Sequence, residues 1–362
     1  METTALIADA LSPLHGWGVT TADPFPDVRG EMERRVIDGS HGGLRFTYGD
    51  PGVATDVRRS FPWAERLVVG AHGYAAEAGS PGPGAPGTGR IARFATEDHY
   101  APLRSALEAA ADALRDAGFR AEVLVDDNRL VDRAAAVRAG VGWWGRSTLV
   151  LAPGAGPWLL LGSVVTDAML PVDEPMRRDC GTCTACIPAC PTGALDGERL
   201  DARRCLATWL QAPGVIPSEL REAVGDRVYG CDDCLDACPP GIRSLTGPPR
   251  GRVDLGGLLA LDDRSLLDRH AHFYVPRRDA RYLRRNALVA LGNAGGVGAD
   301  LVAAGYLGHP DWLLRLHAAW ALGRLGGPAA RRALEARRRR ERHDDVRAEI
   351  DDALGHLTGT FA

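Results

Sequence analysis

The sequence predicts an α+β fold in three parts, and three observations along its 362 residues support this prediction. In the first part, apolar β-branched runs alternate with helical patterns. All eight cysteines then fall between Cys180 and Cys238. A helical pattern that recurs after 31 residues follows the cysteines. We therefore predict an α/β domain over 1–170, a cysteine-rich domain over 171–250 and a domain of α-helical repeats over 251–362.

In the first part, two apolar segments are predicted strands, "RLVVGAHGYA" at 66–75 and "AEVLVDD" at 121–127. Between them, residues 99–119 predict an amphipathic helix. Leucines such as Leu103 recur there at helical spacing, and Gly118 marks the end of the pattern. This order of elements is typical of a mixed α/β domain.

Further along the first part, residues 147–167 predict a β-hairpin with "APGAGP" as its turn. The Gly/Pro-rich stretch 78–90 predicts a loop. "GVGWWGR" at 140–146 fits a turn with two packing tryptophans. The chain has no G-x-G-x-x-G between a strand and a helix and no P-loop, so a nucleotide cofactor is not expected.

Two acidic residues, Asp126 and Asp127, end the second predicted strand just before a predicted helix. An aspartate in this place is often only a helix N-cap, and Asp127 or Asn128 would serve as one. That assignment leaves Asp126 directed toward whatever the domain binds. Asp126 is therefore a candidate catalytic residue, with the purely structural interpretation left open.

The cysteine block opens with Cys180, Cys183, Cys186 and Cys190 followed by Pro191, in the pattern C-x2-C-x2-C-x3-C-P. This is the bacterial ferredoxin run, in which three cysteines bind one [4Fe–4S] cluster and the fourth binds another. Zinc sites usually use pairs of C-x2-C units with a longer spacer, and this remains the alternative. The spacing favours two [4Fe–4S] clusters in a ferredoxin-like domain.

Eight cysteines supply two clusters with none left over. Because the fourth cysteine of each run crosses to the other cluster, Cys205 completes the shorter second run. The predicted ligands are, for cluster 1, Cys180, Cys183, Cys186 and Cys238, and for cluster 2, Cys190, Cys205, Cys231 and Cys234. Such a pair would carry electrons to a redox centre elsewhere in the chain.

The C-terminal part repeats itself: residues 284–296 and 315–327 align, and a weaker copy covers 347–357. Helix pairs at this period are solenoid units of the HEAT type. From 281 to 342 there are twelve arginines and four acidic residues. The run Arg337–Arg340 is either a solvated basic helix or a phosphate-binding surface.

Several of these segments together resemble one family. They are "VDDNRLVDRAAAVRAGVGWWGR" (125–146), the eight-cysteine arrangement with its isolated Cys205, "GDRVYGCDDCLDACP" (225–239) and, more loosely, "ARFATEDHYAPLR" (92–104). The chain resembles the epoxyqueuosine reductases, a cobalamin-dependent family related to reductive dehalogenases. The resemblance covers most of the chain, from about residue 30 to 325.

The resemblance implies an oxidoreductase that removes the epoxide oxygen of epoxyqueuosine in tRNA, using cobalamin reduced through the two clusters. Asp126 matches the family's proton donor, and no side chain is expected on cobalt. The positions that match the corrin surroundings are Ala92, Asp126, Val150 and Leu161. The residues after Asp126 depart from the family, which commonly has a small residue, Gly and Pro where this chain has Asp127, Asn128 and Arg129.

The resemblance also implies partners. The substrate would be a tRNA anticodon stem-loop, contacted by Arg281, Arg284 and Arg285, and the electrons would come from a low-potential donor such as a flavodoxin or a ferredoxin. We expect a cytoplasmic monomer. No run of ~20 apolar residues indicates a membrane span.

Two alternatives stay open at this point. One is a paralogous cobalamin/iron–sulfur reductase with a different substrate, which the residues after Asp126 would permit. The other is a non-enzymatic two-cluster electron-transfer module that docks through its helical repeats.

Overall fold

The computed structural model describes residues 2–75, 84–197, 199–247 and 251–359. These residues fold as two compact units, each assembled from three stretches of chain. The first unit comprises Met1–Gly79, Glu97–Arg203 and Asp232–Pro248, and the second comprises Ser80–Thr96, Arg204–Cys231 and Pro249–Ala362. The predicted boundary at residue 250 lies beside a limit of these units, whereas the predicted boundary at residue 170 lies inside the first unit.

The strands of the described chain are β1 (Gly16–Thr21), β2 (Arg66–Gly73), β3 (Thr88–Ile91), β4 (Ala121–Val125), β5 (Trp143–Trp144), β6 (Val150–Leu151), β7 (Leu159–Thr166), β8 (Arg227–Tyr229) and β9 (Arg252–Asp254). Three short 3₁₀ helices cover Val57–Arg59, Arg93–Ala95 and Pro276–Arg278.

The α-helices of the first half are α1 (Glu2–Leu11), α2 (Pro26–Asp38), α3 (Arg45–Tyr48), α4 (Pro51–Ala54), α5 (Tyr100–Asp116), α6 (Asp132–Arg138) and α7 (Cys186–Ala189). Those of the second half are α8 (Leu206–Gln211), α9 (Ser218–Val224), α10 (Asp233–Asp236), α11 (Pro239–Ser244), α12 (Leu255–Ala260), α13 (Asp263–Arg269), α14 (Arg281–Ala294), α15 (Ala299–Tyr306), α16 (Trp312–Leu325), α17 (Gly327–Arg338) and α18 (Asp344–Gly359).

The first unit is built on a four-stranded antiparallel sheet in the order β1-β2-β7-β4. Successive side chains of β2 point to opposite faces. Leu67 and Val69 pack in one core with alanines of α6 such as Ala135. On the other face, α5 buries Leu103 and Leu107, and a Cβ added to Gly70 would lie 3.2 Å from Leu107. The two predicted strands and the predicted amphipathic helix are confirmed.

The predicted hairpin over 147–167 is wrong. β6 pairs with β5, whereas β7 pairs with β2 and β4, and the turn between them contains only an isolated bridge from Ala152 to Gly156. Gly156 has φ +60°, and a Cβ there would lie 2.6 Å from the Gly241 nitrogen. The turn is rich in glycine because it approaches another backbone closely, a role that local sequence does not distinguish from a hairpin turn.

The second unit contains a three-stranded sheet in the order β8-β3-β9, with β3 parallel to β8 and antiparallel to β9. The loop predicted over 78–90 is therefore corrected at its end, because Thr88 onward forms the central strand. Gly89 sits where a Cβ would meet Val228 at 2.6 Å and Leu255 at 2.7 Å. Residues 78–83 of the predicted loop lie outside the described residues.

The repeat helices α14, α16 and α18 share one buried core that includes Ala287, Ala318 and Ala353. Gly292 and Gly323, which align in the repeat, each allow their helix to pack closely against the next repeat helix. A Cβ on Gly292 would lie 2.8 Å from Ala321 of α16, and one on Gly323 would lie 2.8 Å from Ala353 of α18. The predicted helical repeat is confirmed. Among the described residues, no helix combines the length and the apolar character that crossing a bilayer requires.

Candidate active site

Asp126 directly follows β4 and adopts φ +51°, in the left-handed region that few residues other than glycine occupy. Asp126 is exposed to solvent, but surrounding protein atoms partly desolvate its carboxyl group, and we call this surrounding the recess. Partial burial raises the pKa of Asp126, Arg104 opposes this effect, and the neighbouring charge of Asp127 adds to it. A carboxylic acid of raised pKa in a recess is suited to donate a proton.

Three further residues that the sequence did not single out surround Asp126. Arg104 of α5 donates a hydrogen bond to the Val125 carbonyl at 3.5 Å. Burial raises the pKa of Tyr100, one helical turn earlier, and Asp126 and Asp132 raise it further. Burial likewise raises the pKa of Asp132 well above its usual range, with Asp126 as the next cause. The i, i+4 spacing of Tyr100 and Arg104 was the only signal for this group in the sequence.

The Asp132 carboxyl has one buried oxygen, Oδ1, with no hydrogen-bond partner among the described residues. After burial, the neighbouring charge of Asp126 is the next cause of the raised pKa of Asp132, so the two carboxyl groups lie close together. When two such groups interact, the pair favours holding a proton. The recess is therefore suited to proton transfer.

The predicted N-cap at Asp127 or Asn128 is wrong, because α6 begins only at Asp132 and its N-cap residue, Val131, makes no side-chain capping bond. Asp127 instead binds Arg129. Its Oδ1 accepts from the Arg129 backbone N–H and from Nε, both at 2.9 Å, and its Oδ2 accepts from Nη2 at 2.6 Å. The Arg129 hydrogen bonds lower the pKa of Asp127.

Of the four predicted corrin-contacting residues, three belong to the first unit and Ala92 belongs to the second. Val125 pairs with Gly162, so Leu161 on β7 and Asp126 after β4 lie at the same end of neighbouring strands. Val150 lies in β6 and is buried. The structure thus brings Asp126 and Leu161 together, and the assignment of all four to a corrin stays a prediction.

The β5–β6 hairpin connects the recess to the cysteine block within the first unit. On one side, Arg133 of α6 donates a hydrogen bond to the Thr148 carbonyl at 3.1 Å. On the other side, the Arg146 backbone N–H donates to Cys180 Sγ at 3.4 Å. The segment that carries Asp126 and α6 is therefore tied to the first cluster cysteine through a few residues.

The four cysteines predicted for cluster 1 all lie in the first unit. Burial raises the pKa of Cys186 and Cys238, and the nearby thiols of Cys180 and Cys183 raise it further in both cases. The four sulfur atoms are thus close enough to act on one another. Among the described residues, no three metal-binding side chains converge on a single-ion site. A cubane carries one iron at each corner, so its thiolates need not converge on one point, and this donor set fits a [4Fe–4S] cluster.

The cysteines predicted for cluster 2 come from both units, with Cys190 and Cys234 in the first and Cys205 and Cys231 in the second. Cys190 Sγ accepts a hydrogen bond from the Ala194 N–H at 3.2 Å. Cys231 packs against the core formed by helices α8 and α9. The ligand set of cluster 2 stays a prediction.

A cavity of about 780 Å³ in the first unit was not predicted from the sequence. Its lining comes partly from the segments beside the cluster 1 cysteines, including Arg178, Arg243 and Ser244, and partly from Trp143. The Trp143 Nε1 is buried without a hydrogen-bond partner among the described residues, and Arg178 lies 5.6 Å from the Trp143 ring centre. Trp144, by contrast, is 44% exposed, so only one of the two tryptophans packs as expected.

The three arginines predicted to contact tRNA differ in placement. Arg285 is fully buried and donates to the carbonyls of Trp209, Ala212 and Gly214. Arg284 is 7% exposed and binds Asp263 and the Leu261 carbonyl. These two guanidinium groups donate their hydrogen bonds to protein oxygen atoms inside the second unit. This corrects the expectation that they contact phosphates.

Arg281 remains a candidate for phosphate contact. Its side chain is 42% exposed while it pairs with Asp279 at 2.6 Å and Asp311 at 3.0 Å. In the basic run of α17, Arg337 and Arg338 are engaged in ion pairs with Glu341 and Asp351.

Two family models match the chain. A model described as a 4Fe-4S double cluster binding domain matches residues 179–241, and a model of HEAT repeats matches residues 277–355. The first match supports two [4Fe–4S] clusters and disfavours the zinc alternative. The second agrees with the packing of α14, α16 and α18.

Curated relatives align with about two thirds to nearly all of the chain. The epoxyqueuosine reductase of Bacillus cereus is 30% identical over 355 residues, which is 93% of this chain and 92% of the relative. That of Xanthomonas campestris pv. campestris is 38% identical over 250 residues, or 65% of this chain and 70% of the relative.

Solved structures agree with these relatives. An epoxyqueuosine reductase crystallised with an epoxyqueuosine-modified tRNA-Tyr stem loop has a TM-score of 0.91, 29% identity and 99% coverage of both chains. The Bacillus subtilis enzyme, solved with its catalytic aspartate loop swung out of the active site, has a TM-score of 0.88 and 28% identity, covering 98% of this chain and 99% of its own. From these similarities over its full length, the chain belongs to the epoxyqueuosine reductase family of oxidoreductases.

Proposed function

We propose that this protein reduces epoxyqueuosine in a tRNA anticodon stem-loop to queuosine. Removing an epoxide oxygen as water leaves a carbon–carbon double bond and consumes two electrons and two protons. The chain must therefore supply an electron path and a proton donor at one place. Family membership supports the reaction, and the related structure with a modified stem loop supports the tRNA substrate.

The observation that carries this proposal is the link between Asp126 and cluster 1 inside one folded unit. The proposed acid and the four cluster 1 cysteines flank the same β5–β6 hairpin, which is bonded to α6 at Thr148 and to Cys180 through Arg146. Electrons that enter through the clusters would thus arrive near the carboxyl group that supplies a proton. Coupling the two avoids building up charge on the departing oxygen.

Asp126 is the proposed proton donor. Its raised pKa increases the fraction that is protonated near neutral pH, where an ordinary aspartate is ionised. Asp132 and Tyr100 face the same recess and are proposed to keep it poor in negative charge. We further propose that the loop after β4 corresponds to the catalytic aspartate loop of the Bacillus subtilis enzyme.

Cobalamin is the proposed cofactor between the clusters and the epoxide. When bound, it supplies a strongly reducing and nucleophilic cobalt centre. The 780 Å³ cavity lies beside the cysteines predicted for cluster 1, and its lining does not include the residues proposed to border the corrin. Asp126, Val150 and Leu161 are proposed to border the corrin, with Ala92 as a further candidate from the second unit.

For the partners, we propose that the helical repeats help to hold the tRNA, with Arg281 as the exposed candidate for a phosphate contact. A low-potential donor such as a flavodoxin or a ferredoxin would reduce the clusters. A cytoplasmic monomer is consistent with a tRNA-modifying enzyme.

The test is a single-turnover assay with an epoxyqueuosine-containing stem-loop and anaerobically reconstituted protein, analysed by mass spectrometry of the nucleosides. Queuosine should form only when both clusters, cobalamin and a low-potential reductant are present together. Protein that holds clusters and reducible cobalamin yet forms no queuosine would overturn the proposed substrate. Protein with two clusters that retains no cobalamin would instead favour an electron-transfer module.

A further inference from the structure

The loop between β4 and α6 is fixed by a contact that the proposed reaction does not itself require. The Asp127 carboxylate accepts three hydrogen bonds from Arg129: from the backbone N–H at 2.9 Å, from Nε at 2.9 Å and from Nη2 at 2.6 Å. Fork-like pairing of this kind restrains both partners more than a single charge contact does. Because only one residue separates the partners, the pair closes the chain into a tight ring directly after Asp126.

The same guanidinium anchors this ring to the body of the first unit. The Arg129 carbon Cζ lies 4.9 Å from the centre of the Phe61 ring. Phe61 is 9% exposed and belongs to the core beneath the sheet. Leu130, the next residue, is 4% exposed in that core. The loop is thus held at its middle by a cation–π contact and at its end by apolar burial.

Asp126 itself needs such support. Asp126 has φ +51°, a left-handed conformation that is uncommon for residues other than glycine and is retained where the surrounding structure holds it. On the strand side, Arg104 contacts the Val125 carbonyl. On the loop side, the hydrogen bonds between Asp127 and Arg129 follow directly after Asp126.

We propose that Asp127, Arg129 and Phe61 form a clasp that positions Asp126 for proton transfer, and that Asp127 and Arg129 are positioning residues for the reaction. This inference rests on the proposed role of Asp126. The clasp acts by holding the loop inward rather than by contacting the substrate. Arg129 commits Nε and Nη2 to Asp127 and its face to Phe61, so it is poorly placed to select a different substrate.

The charges around Asp126 make the proposal testable by pH. Arg104 of α5 and Asp127 act on the pKa of Asp126, and Asp126 in turn acts on the pKa of Tyr100 of α5 and of Asp132 of α6. Removing the Arg129 charge leaves Asp127 uncompensated and should raise the pKa of Asp126. Removing the Asp127 charge should lower the pKa of Asp126. The two changes therefore shift this pKa in opposite directions, whereas both break the contact between Asp127 and Arg129.

The first unit contains a matched control at the other end of β4. Asp167 accepts from the Arg120 backbone N–H at 2.8 Å and from its Nε at 2.7 Å, and Arg120 lies 5.0 Å from the Trp63 ring centre. This pair combines the same four groups as the contact after Asp126: a carboxylate, a backbone N–H, a guanidinium and an aromatic ring. Arg120 directly precedes β4, whereas Asp126 directly follows it.

The experiment compares Asp127→Asn, Arg129→Gln, Arg129→Lys and the double variant with Asp167→Asn and Arg120→Gln. Single-turnover rates are measured against pH on reconstituted enzyme, with stem-loop affinity and thermal stability recorded for each. At the pH where the rate is maximal, all clasp variants should lose about 10- to 100-fold, because a small misplacement of a catalytic group costs that much. Stem-loop affinity should be unchanged, and the control pair should change the rate less than twofold.

Three results identify the clasp. Asp127→Asn and Arg129→Gln should shift the pH profile in opposite directions, although both lower the maximal rate by a similar factor. The double variant should lower the maximal rate no more than either single variant does. Arg129→Lys should keep the profile but lose rate, because lysine lacks the planar fork.

Contrary results are equally specific. The clasp would be overturned if the rates of the clasp variants changed only as the altered pKa of Asp126 predicts, or changed as little as those of the Asp167→Asn and Arg120→Gln controls. Either result would leave the proposed function intact. A wild-type rate for Asp126→Asn in the same assay would overturn the proposed acid and the clasp with it.

Discussion

Arg285 illustrates how one buried charge can be structural rather than functional. Its guanidinium donates hydrogen bonds to the carbonyls of Trp209, Ala212 and Gly214 and to the side-chain oxygen of Asn286, all within 3.0 Å. A buried charge of this kind is tolerated because its donors are satisfied. It organises the chain around the end of α8, and Asn286 extends the same role to the Leu210 and Val228 carbonyls.

This difference predicts opposite phenotypes for two arginines of one helix. Arg285→Met should destabilise the protein by about 3 kcal/mol, because it leaves several buried carbonyls without donors. Arg281→Ala should leave stability nearly unchanged, since exposed ion pairs contribute little. If Arg281 contacts a phosphate, the same substitution should weaken stem-loop binding and lower the salt slope of log Kd by about one.

Urea unfolding and binding titrations at several salt concentrations check both expectations. A stable Arg285→Met protein with weakened stem-loop binding would restore the direct-contact interpretation. An Arg281→Ala protein with an unchanged salt slope would remove Arg281 from the tRNA interface.

For single residues, cysteine spacing was sufficient to predict a domain that binds two [4Fe–4S] clusters, whereas spacing was insufficient to place the arginines. The cluster 1 ligands follow from the short steps between Cys180, Cys183 and Cys186, because a cubane needs thiolates from one tight loop. Whether an arginine of α14 faces solvent depends on carbonyls more than 70 residues away in sequence, as in the bond from Arg285 to Ala212. No local pattern contains that information.

Among the elements, the turn before β7 links the sheet to the cluster 1 segment. Gly156 lies so close to Gly241 that a Cβ would be 2.6 Å from its nitrogen, and Trp158 Nε1 donates to the Gly241 carbonyl at 2.9 Å. Since Gly241 follows Cys238 by three residues, this contact positions the cysteine that is predicted to complete cluster 1.

Gly156→Ala should therefore impair cluster 1. Gly118→Ala is the matched control: Gly118 also has positive φ, at +88°, but no atom lies within 4 Å of its added Cβ. Both substitutions carry backbone strain, and only the first displaces the segment after Cys238. Iron and sulfide analysis should show about half of the wild-type content for Gly156→Ala and full content for Gly118→Ala. Equal iron in the two variants would contradict the positional role.

The turn between α17 and α18 is closed by a buried carboxylate, Glu341, which is 3% exposed. Burial alone would raise the pKa of Glu341, but hydrogen bonds from Arg315, Arg337 and two backbone N–H groups lower it to about 2. A lowered pKa means that the stabilisation is present above the unfolded value near 4.5 and is lost as pH falls toward 2. A shift of this size corresponds to about 3 kcal/mol.

Glu341→Gln should destabilise the protein by about that amount at pH 7, and the difference from wild type should shrink as pH falls below 4.5. Asp351→Asn, which removes the exposed partner of Arg338, is the control and should cost less than about 1 kcal/mol. Urea unfolding across this pH range measures both. A pH-independent difference for Glu341→Gln would show that its ionisation does not stabilise the fold.

Element prediction succeeded where periodicity was long and failed where partners were distant. The helix over 99–119 and the strand over 66–75 follow from sustained apolar patterns. The hairpin over 147–167 was wrong because β7 pairs with β2 and β4 instead of its neighbour in sequence. The N-cap near Asp127 was wrong because its carboxylate prefers the adjacent Arg129 guanidinium to a helix terminus.

For the whole molecule, the sequence predicted three consecutive parts, whereas the structure has two units with exchanged segments. Residues 80–96 and 204–231 belong with the repeats, while 232–248 returns to the first unit. Short β pairings such as β3 with β8 create this arrangement, and parallel pairing between distant segments leaves little trace in a sequence. The kind of protein was nevertheless predictable, because cysteine spacing and repeats are local signals.

We propose that Asp126 supplies the proton to a reaction whose electrons arrive through cluster 1. The most direct measurement follows cofactor reduction by absorbance and queuosine formation by mass spectrometry in the same anaerobic sample of Asp126→Asn and of wild type. We predict that Asp126→Asn binds the stem-loop and shows normal reduction of its bound cofactors, but forms queuosine at least 100-fold more slowly. Queuosine formation by Asp126→Asn at the wild-type rate would contradict the account.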